Sequence, residues 1–264
     1  MPVTLIPGLV SISFRKHTPE EIVKACSEAG LKYVEWGSDV HVPAGNESRA
    51  RDVRDLCSSA GITPGAYGSY FRLGQGGPDS FRPFARTAEA LGAGVIRIWG
   101  GTLPSGRLNA AAREALATEA RAVCAVAKEH GLTVTLECHS DTITDEYHSA
   151  IEFLRAVDRP ELRLYWQPSQ FHTESYNRDA ARAYAPYTVN VHVFTWEVDR
   201  RLPLEAGERL WNEVYLPAFS DPALGDRSCG LLLEFMHDDR LETLISAGQT
   251  LKDWIARQGA VALS

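Results

Sequence analysis

The sequence predicts a single (β/α)8 barrel spanning residues 1–264. Short β-branched or aromatic runs recur along the whole chain, and each is followed by a stretch with helical spacing. No Pro/Gly/Ser-rich linker or shift of composition divides the residues, and the loop LGQGGPDS (73–80) lies inside one repeat. Strand and helix in alternation are the pattern of parallel β-α-β units. Eight runs in this length give about 33 residues per unit, the size of one such repeat. An open doubly wound sheet would also alternate, but it often carries a glycine-rich phosphate turn after its first strand. Here that turn reads RKHTPEE (15–21), so the closed barrel is the better reading.

The elements follow in order. The first run is LVSISF (9–14). A helix then starts with Thr18 as N-cap, Pro19 at the first helical position and Glu20 and Glu21 in the first turn, and closes at Ala29-Gly30. KYVEWG (32–37) is the second run, and the helix 47–60 after it ends at Gly61, a glycine C-cap. ITPGAYG (62–68) and GVIRIWGG (94–101) are the third and fourth, and the helix 109–130 stops at Gly131. LTVTLECH (132–139), LRLYWQP (162–168), TVNVHVF (188–194) and GLLLEFM (230–236) complete the eight, with RLETLISAGQTLKDWIARQ (240–258) as the closing amphipathic helix.

Composition narrows the function classes. With 44% hydrophobic and 23% charged residues the chain is an ordinary globular protein, neither disordered nor fibrous. Its net charge of −7, from 27 basic and 34 acidic side chains, argues against a nucleic-acid partner. No apolar run reaches the roughly 18 residues of a membrane span, and the N-terminal segment lacks a basic region before its apolar stretch. The five scattered cysteines form no CxxC pair, so buried thiols in a reducing, cytoplasmic setting are expected.

In a barrel of this kind chemistry sits at the C-terminal ends of the strands, and side chains alternate between the interior and the helix layer. In LTVTLECH, Val134, Leu136 and Cys138 suit the helix side, which turns Thr135, Glu137 and His139 inward. The same test turns Gln167 inward with Tyr165, His192 with Asn190, Phe194 and Trp196, Glu234 with Leu232, and Glu35 with Tyr33. Glu137, Gln167, His192 and Glu234 therefore converge from the fifth to eighth strands. Two carboxylates aimed at one small volume repel each other, and a divalent cation relieves that repulsion. Oxygen donors with one imidazole favour Mg, Mn or Co, with Zn a further candidate.

Aromatic residues gather near strand ends, among them Trp36, Tyr67, Tyr70, Phe71, Trp99, Phe194 and Trp196. Such rings pack on the C–H faces of sugars, so Trp36, Tyr67, Trp99 and Trp196 are candidate substrate contacts. Arg97 has inward parity with Trp99 and is expected either to bind substrate oxygens or to pair with Glu35. Arg200-Arg201 reads as a solvated loop. No phosphate loop is present, so an uncharged sugar is favoured.

The order of units, with Glu in TLECH, His in NVHVF and Glu in LLLEF, resembles the xylose isomerase-like TIM-barrel superfamily, the sugar phosphate isomerase/epimerase group that also includes ketose 3-epimerases and endonuclease IV. The resemblance covers essentially the whole chain. It implies a metal held by Glu, Asp, His and Glu from strands five to eight, which fall here on Glu137, Gln167, His192 and Glu234. One position departs: the family's strand-six Asp, followed three residues later by His, is replaced by Gln167 and Gln170 in WQPSQ. Gln167 offers a carbonyl oxygen, giving two negative charges where the family has three; His172 is a possible further imidazole.

The resemblance implies a sugar isomerase/epimerase in which Glu137 and Glu234 are the acid/base pair, the metal stabilises an enediolate, and His139 hydrogen-bonds a substrate oxygen. Homo-oligomers are implied by analogy. Three alternatives stand beside it: a keto-sugar lyase or dehydratase using the same groups, an endonuclease IV-like phosphodiesterase, and a non-catalytic binding barrel.

Overall fold

The computed structural model describes residues 3–259 and 261–262. Eight parallel strands follow one another in the sheet: β1 (Thr4–Val10), β2 (Tyr33–Gly37), β3 (Thr63–Arg72), β4 (Val95–Trp99), β5 (Thr133–Glu137), β6 (Leu162–Trp166), β7 (Thr188–Val193) and β8 (Ser228–Leu233). β8 also pairs with β1, so the sheet closes into a (β/α)8 barrel. The helices are α1 (Pro19–Ala29), α2 (Glu47–Ser59), α3 (Gly77–Leu91), α4 (Ala110–Glu129), α5 (Tyr147–Val157), α6 (Glu174–Tyr184), α7 (Leu216–Phe219) and α8 (Leu241–Arg257). Between β7 and α7 lie a short hairpin, Trp196–Glu197 with Arg200–Arg201, and a π-helix, Leu210–Tyr215. No helix among the described residues is long and apolar enough to cross a membrane.

The chain packs as two compact units, and the boundaries fall inside β2, after Glu35, and inside β6, after Tyr165. The first comprises Met1–Glu35, Leu56–Thr63 and Trp166–Ser264. There β1 pairs with β8 (Gly8 opposite Leu232) and with β2 (Val10 opposite Glu35), and β8 pairs with β7 (Leu232 opposite His192). Leu5, Leu9, Val191, Leu231 and Leu233 are wholly buried. Helix α1 begins on the expected capping box, Thr18 with Glu21, and ends on Gly30 at φ 71°. A Cβ on Gly248 of α8 would meet the Ala29 Cβ at 3.0 Å, so α8 seats closely against α1.

The second unit comprises Trp36–Asp55 and Pro64–Tyr165. Its registers set Tyr67 opposite Ile96, Arg97 opposite Thr135, and Glu137 opposite Tyr165. Asn109 caps α4 by accepting from Ala112 N at 2.9 Å.

Two elements differ from the sequence expectation. The first strand is Thr4–Val10, and Ser11–Phe14 forms a buried 3-10 turn where the sequence places the strand. Pro7 and Gly8 read as turn signals, yet Gly8 is required in the strand because a Cβ there would lie 2.4 Å from the Tyr33 carbonyl oxygen. The hairpin and π-helix after β7 were not expected, since neither carries a periodic signal.

Candidate active site

Gln167, His192, Glu234 and Glu35 come together in the first unit. The inward parity assigned to β7 has a structural counterpart one step below them: Asn190 Oδ1 accepts from Gly230 N at 3.0 Å, and its amide nitrogen donates to Tyr33 Oη at 3.3 Å. Gly230 makes room, since a Cβ there would meet Asn190 Oδ1 at 2.4 Å. One step further along β7, His192 is wholly buried, as is Glu35. His192 Nδ1 lies 3.0 Å from Gln167 Oε1 and 3.5 Å from Glu234 Oε2. On the other side of the ring, Nε2 lies 3.7 Å from Glu35 Oε2. The imidazole thus has an oxygen donor set at one nitrogen and a carboxylate at the other, the pattern in which an outer carboxylate fixes a metal-binding tautomer.

The turn after Glu234 is set by backbone geometry. Phe235 has φ 52°, in the left-handed region that costs a non-glycine residue energy, and its N–H donates to Ser13 Oγ at 2.9 Å. Arg200 is exposed, in keeping with a solvated loop, whereas Arg201 is half-buried: its guanidinium sits 4.7 Å from the Phe235 ring centre and 5.5 Å from that of Trp196, and it pairs with Asp239 at 2.6 Å. These contacts join the hairpin to the turn that follows Glu234.

Glu137, Arg97, Trp99 and His139 come together in the second unit. Glu137 and Arg97, 5% and 3% exposed, form an ion pair. Glu137 is a partner of Arg97 that the sequence did not point to. The Glu137 carbonyl accepts from Thr144 Oγ1, which ties the strand end to the loop behind it. Trp99 stacks on His139 at 4.6 Å and 20°, and the Arg72 guanidinium lies 3.4 Å from the Trp99 ring centre. Arg72 was not singled out from the sequence, because its place over Trp99 depends on the register irregularity late in β3. Burial lowers the Arg72 pKa, and the Glu137 charge partly offsets this. His139 Nδ1 faces the Ser140 carbonyl at 2.8 Å; a carbonyl only accepts, so Nδ1 carries the proton and Nε2 is left as an acceptor.

Trp36 and Tyr67 are wholly buried. Trp36 packs edge-on against His41, and Tyr67 Oη donates to the Val42 carbonyl at 2.8 Å. Both rings are packing elements in this structure. Trp196 is half-buried and lines a cavity beyond β6 and β7 together with Gln170 and His172.

A parallel barrel with acidic and imidazole side chains at its strand ends defines a class in which chemistry is carried at the C-terminal face. The chain belongs to the xylose isomerase-like TIM barrel family, whose profile matches residues 23–219. No curated protein matches it. Among solved structures it is similar to the probable 3-DHS dehydratase AsbF of Bacillus anthracis, at 19% identity and TM-score 0.74 over 96% of this chain and 99% of that one. It is similar also to a D-psicose 3-epimerase, at 12% identity and TM-score 0.70 over 97% and 100%. A xylose isomerase-like TIM barrel protein from Mycobacterium smegmatis in complex with magnesium matches at 14% identity and TM-score 0.68, over 97% of each chain. At these identities the likeness is one of fold.

Proposed function

We propose that the protein is a divalent-metal-dependent enzyme that moves a proton at a carbon next to a carbonyl in a sugar-like substrate, as an isomerase or epimerase, with Glu137, His192 and Glu234 as the metal-holding residues. The observation that carries this reading is that one ligand atom from each of these three buried side chains lies within 4.8 Å of the others. Two carboxylates and an imidazole suit Mn, Mg or Co, and the magnesium complex of the similar M. smegmatis protein supports a metal of this kind. When bound, the ion supplies charge stabilisation for the electron-rich oxygens that develop as the carbon loses its proton.

The chain's own groups would do the rest. With the ion bound, Glu35, whose Oε2 lies 3.7 Å from His192 Nε2, would favour the tautomer protonated there and leave Nδ1 to face the ion, and Gln167 would add a neutral carbonyl oxygen beside it. Glu234 takes and returns the substrate proton. His139 Nε2 accepts from a substrate hydroxyl, and the Arg72–Trp99–His139 stack holds it in place.

A second reading, a keto-sugar dehydratase or lyase on the same centre, is favoured by the Arg97–Glu137 ion pair. Inverting a carbon from both faces asks Glu137 and Glu234 alike to carry protons, whereas Arg97 already engages Glu137. Elimination needs a single base. Incubating the Mn2+-loaded protein with a panel of ketoses, aldoses and keto-cyclitols in deuterated water separates the two. Deuterium in recovered sugar supports the isomerase or epimerase; an unsaturated product supports the lyase; no exchange and no product with any of them, in protein shown to hold Mn2+, contradicts both.

A further inference from the structure

Gln170 and Trp196 both line a cavity of about 200 Å3 in the first unit, and the Trp196 indole N–H is buried without a hydrogen bond among the described residues. The cavity is formed by the segment after β6, the segment after β7 and the π-helix, an irregularity often found at functional sites. Its apolar surface comes from Phe194, Trp196, Trp211 and Tyr215. It begins where the proposed centre ends: Pro168 follows Gln167, and Phe194 lies two residues after His192.

We propose that this cavity binds a neutral aromatic ring, and that the substrate of the neighbouring strand ends carries such a ring; the second clause rests on the function proposed above, the first does not. Its full charges compensate each other, because Arg209 and Glu174 at the rim pair through two nitrogen–oxygen contacts. Its remaining polar groups are mostly engaged. Asn177 binds the Ser169 backbone through both ends of its amide at 2.8 Å, Thr195 Oγ1 donates to the Leu204 carbonyl at 3.0 Å, and Trp211 Nε1 donates to the Phe194 carbonyl at 3.0 Å.

The Gln170 amide and the His172 imidazole are further polar side chains of the lining. A sugar ring would bring several hydroxyls, and each one buried without a partner costs about 1–3 kcal/mol. An aryl ring with one polar substituent leaves none stranded and meets four aromatic neighbours. The size agrees, since a dry cavity of about 150 Å3 holds benzene.

The test uses metal-free full-length protein, with phenol, toluene, phenyl β-D-glucopyranoside and methyl β-D-glucopyranoside as probes, read by calorimetry and tryptophan fluorescence. Phenol and the phenyl glucoside bind, and the methyl glucoside does not. Trp196→Ala weakens phenol about tenfold, the upper range of an aromatic contact. Gln170→Ala, at a half-exposed loop position, weakens phenol about fivefold through a lost hydrogen bond and leaves toluene unchanged. Equal binding of the two glucosides, or phenol affinity unchanged in Gln170→Ala, overturns the proposal, and the second result does so even if Trp196→Ala fails to fold. Mn2+ titration of Glu234→Gln keeps the two readings apart: phenol binding persists there whether or not Mn2+ binding is lost.

Discussion

Arg97 and Glu137 are side chains of neighbouring strands, and burying them as a pair changes what each can do alone. An ion pair of this depth loses its water, so removing one partner strands the other's charge, at a cost of about 3–5 kcal/mol. Arg97→Met should therefore lower the unfolding free energy of the metal-free protein by that amount, and its unfolding midpoint with it. Added Mn2+ should restore more stability to the variant than to the wild type, because a cation can take the guanidinium's place. Thermal unfolding with and without MnCl2 measures both, and equal losses under the two conditions would contradict the role given to Glu137. The meeting of Gln167, His192 and Glu234 was legible in the sequence because β parity needs only the alternation within one strand. The partner of Arg97 was not, since it follows from the register of β4 on β5, which no single run encodes. An aromatic residue at a strand end, such as Trp36 or Tyr67, has the same signature whether it faces ligand or packs on His41 and Val42.

Elements bound by caps were legible and elements bound by packing were not. Helix α1 starts at Thr18 and ends at Gly30 as its sequence signals require. The first strand was misplaced because Pro7 and Gly8 look like a turn, whereas the glycine is there to let β1 approach Tyr33. Gly8→Ala is expected to destabilise the protein by about 1–3 kcal/mol through overpacking. Gly94→Ala is the control, since a Cβ there meets nothing within 4 Å. Urea unfolding compares them, and equal midpoints would show that the close approach of β1 and β2 is not what selects the glycine. The hairpin and π-helix after β7 escaped the sequence because neither repeats with a period, yet they carry Arg201 onto Phe235 and Trp211 into the cavity wall.

Over the whole molecule, the strand-helix alternation was enough to read the barrel, because eight repeats of similar length leave few architectures that bury every strand. The cysteines are free, as expected, and among them burial pushes Cys124 and Cys229 up to about 12 from 9.0. Burial likewise raises Tyr215 to about 12 from 10.0. In each case the folded protein holds the neutral form after the unfolded chain has ionised. These groups leave stability unaffected below about pH 8 and take it away progressively between about pH 9 and 12. The unfolding temperature should fall through that window; a constant value up to pH 11 would contradict the burial of these groups.

In the proposed site Glu137, His192 and Glu234 hold one divalent ion. The most direct measurement is an equilibrium titration of metal-free protein with Mn2+, following free Mn2+ by electron paramagnetic resonance, for the wild type and for folded Glu137→Gln, His192→Ala and Glu234→Gln variants. An ion shared by these residues requires one tight site per chain in the wild type and at least a tenfold loss of affinity in each variant. Unchanged stoichiometry and affinity in all three would contradict it.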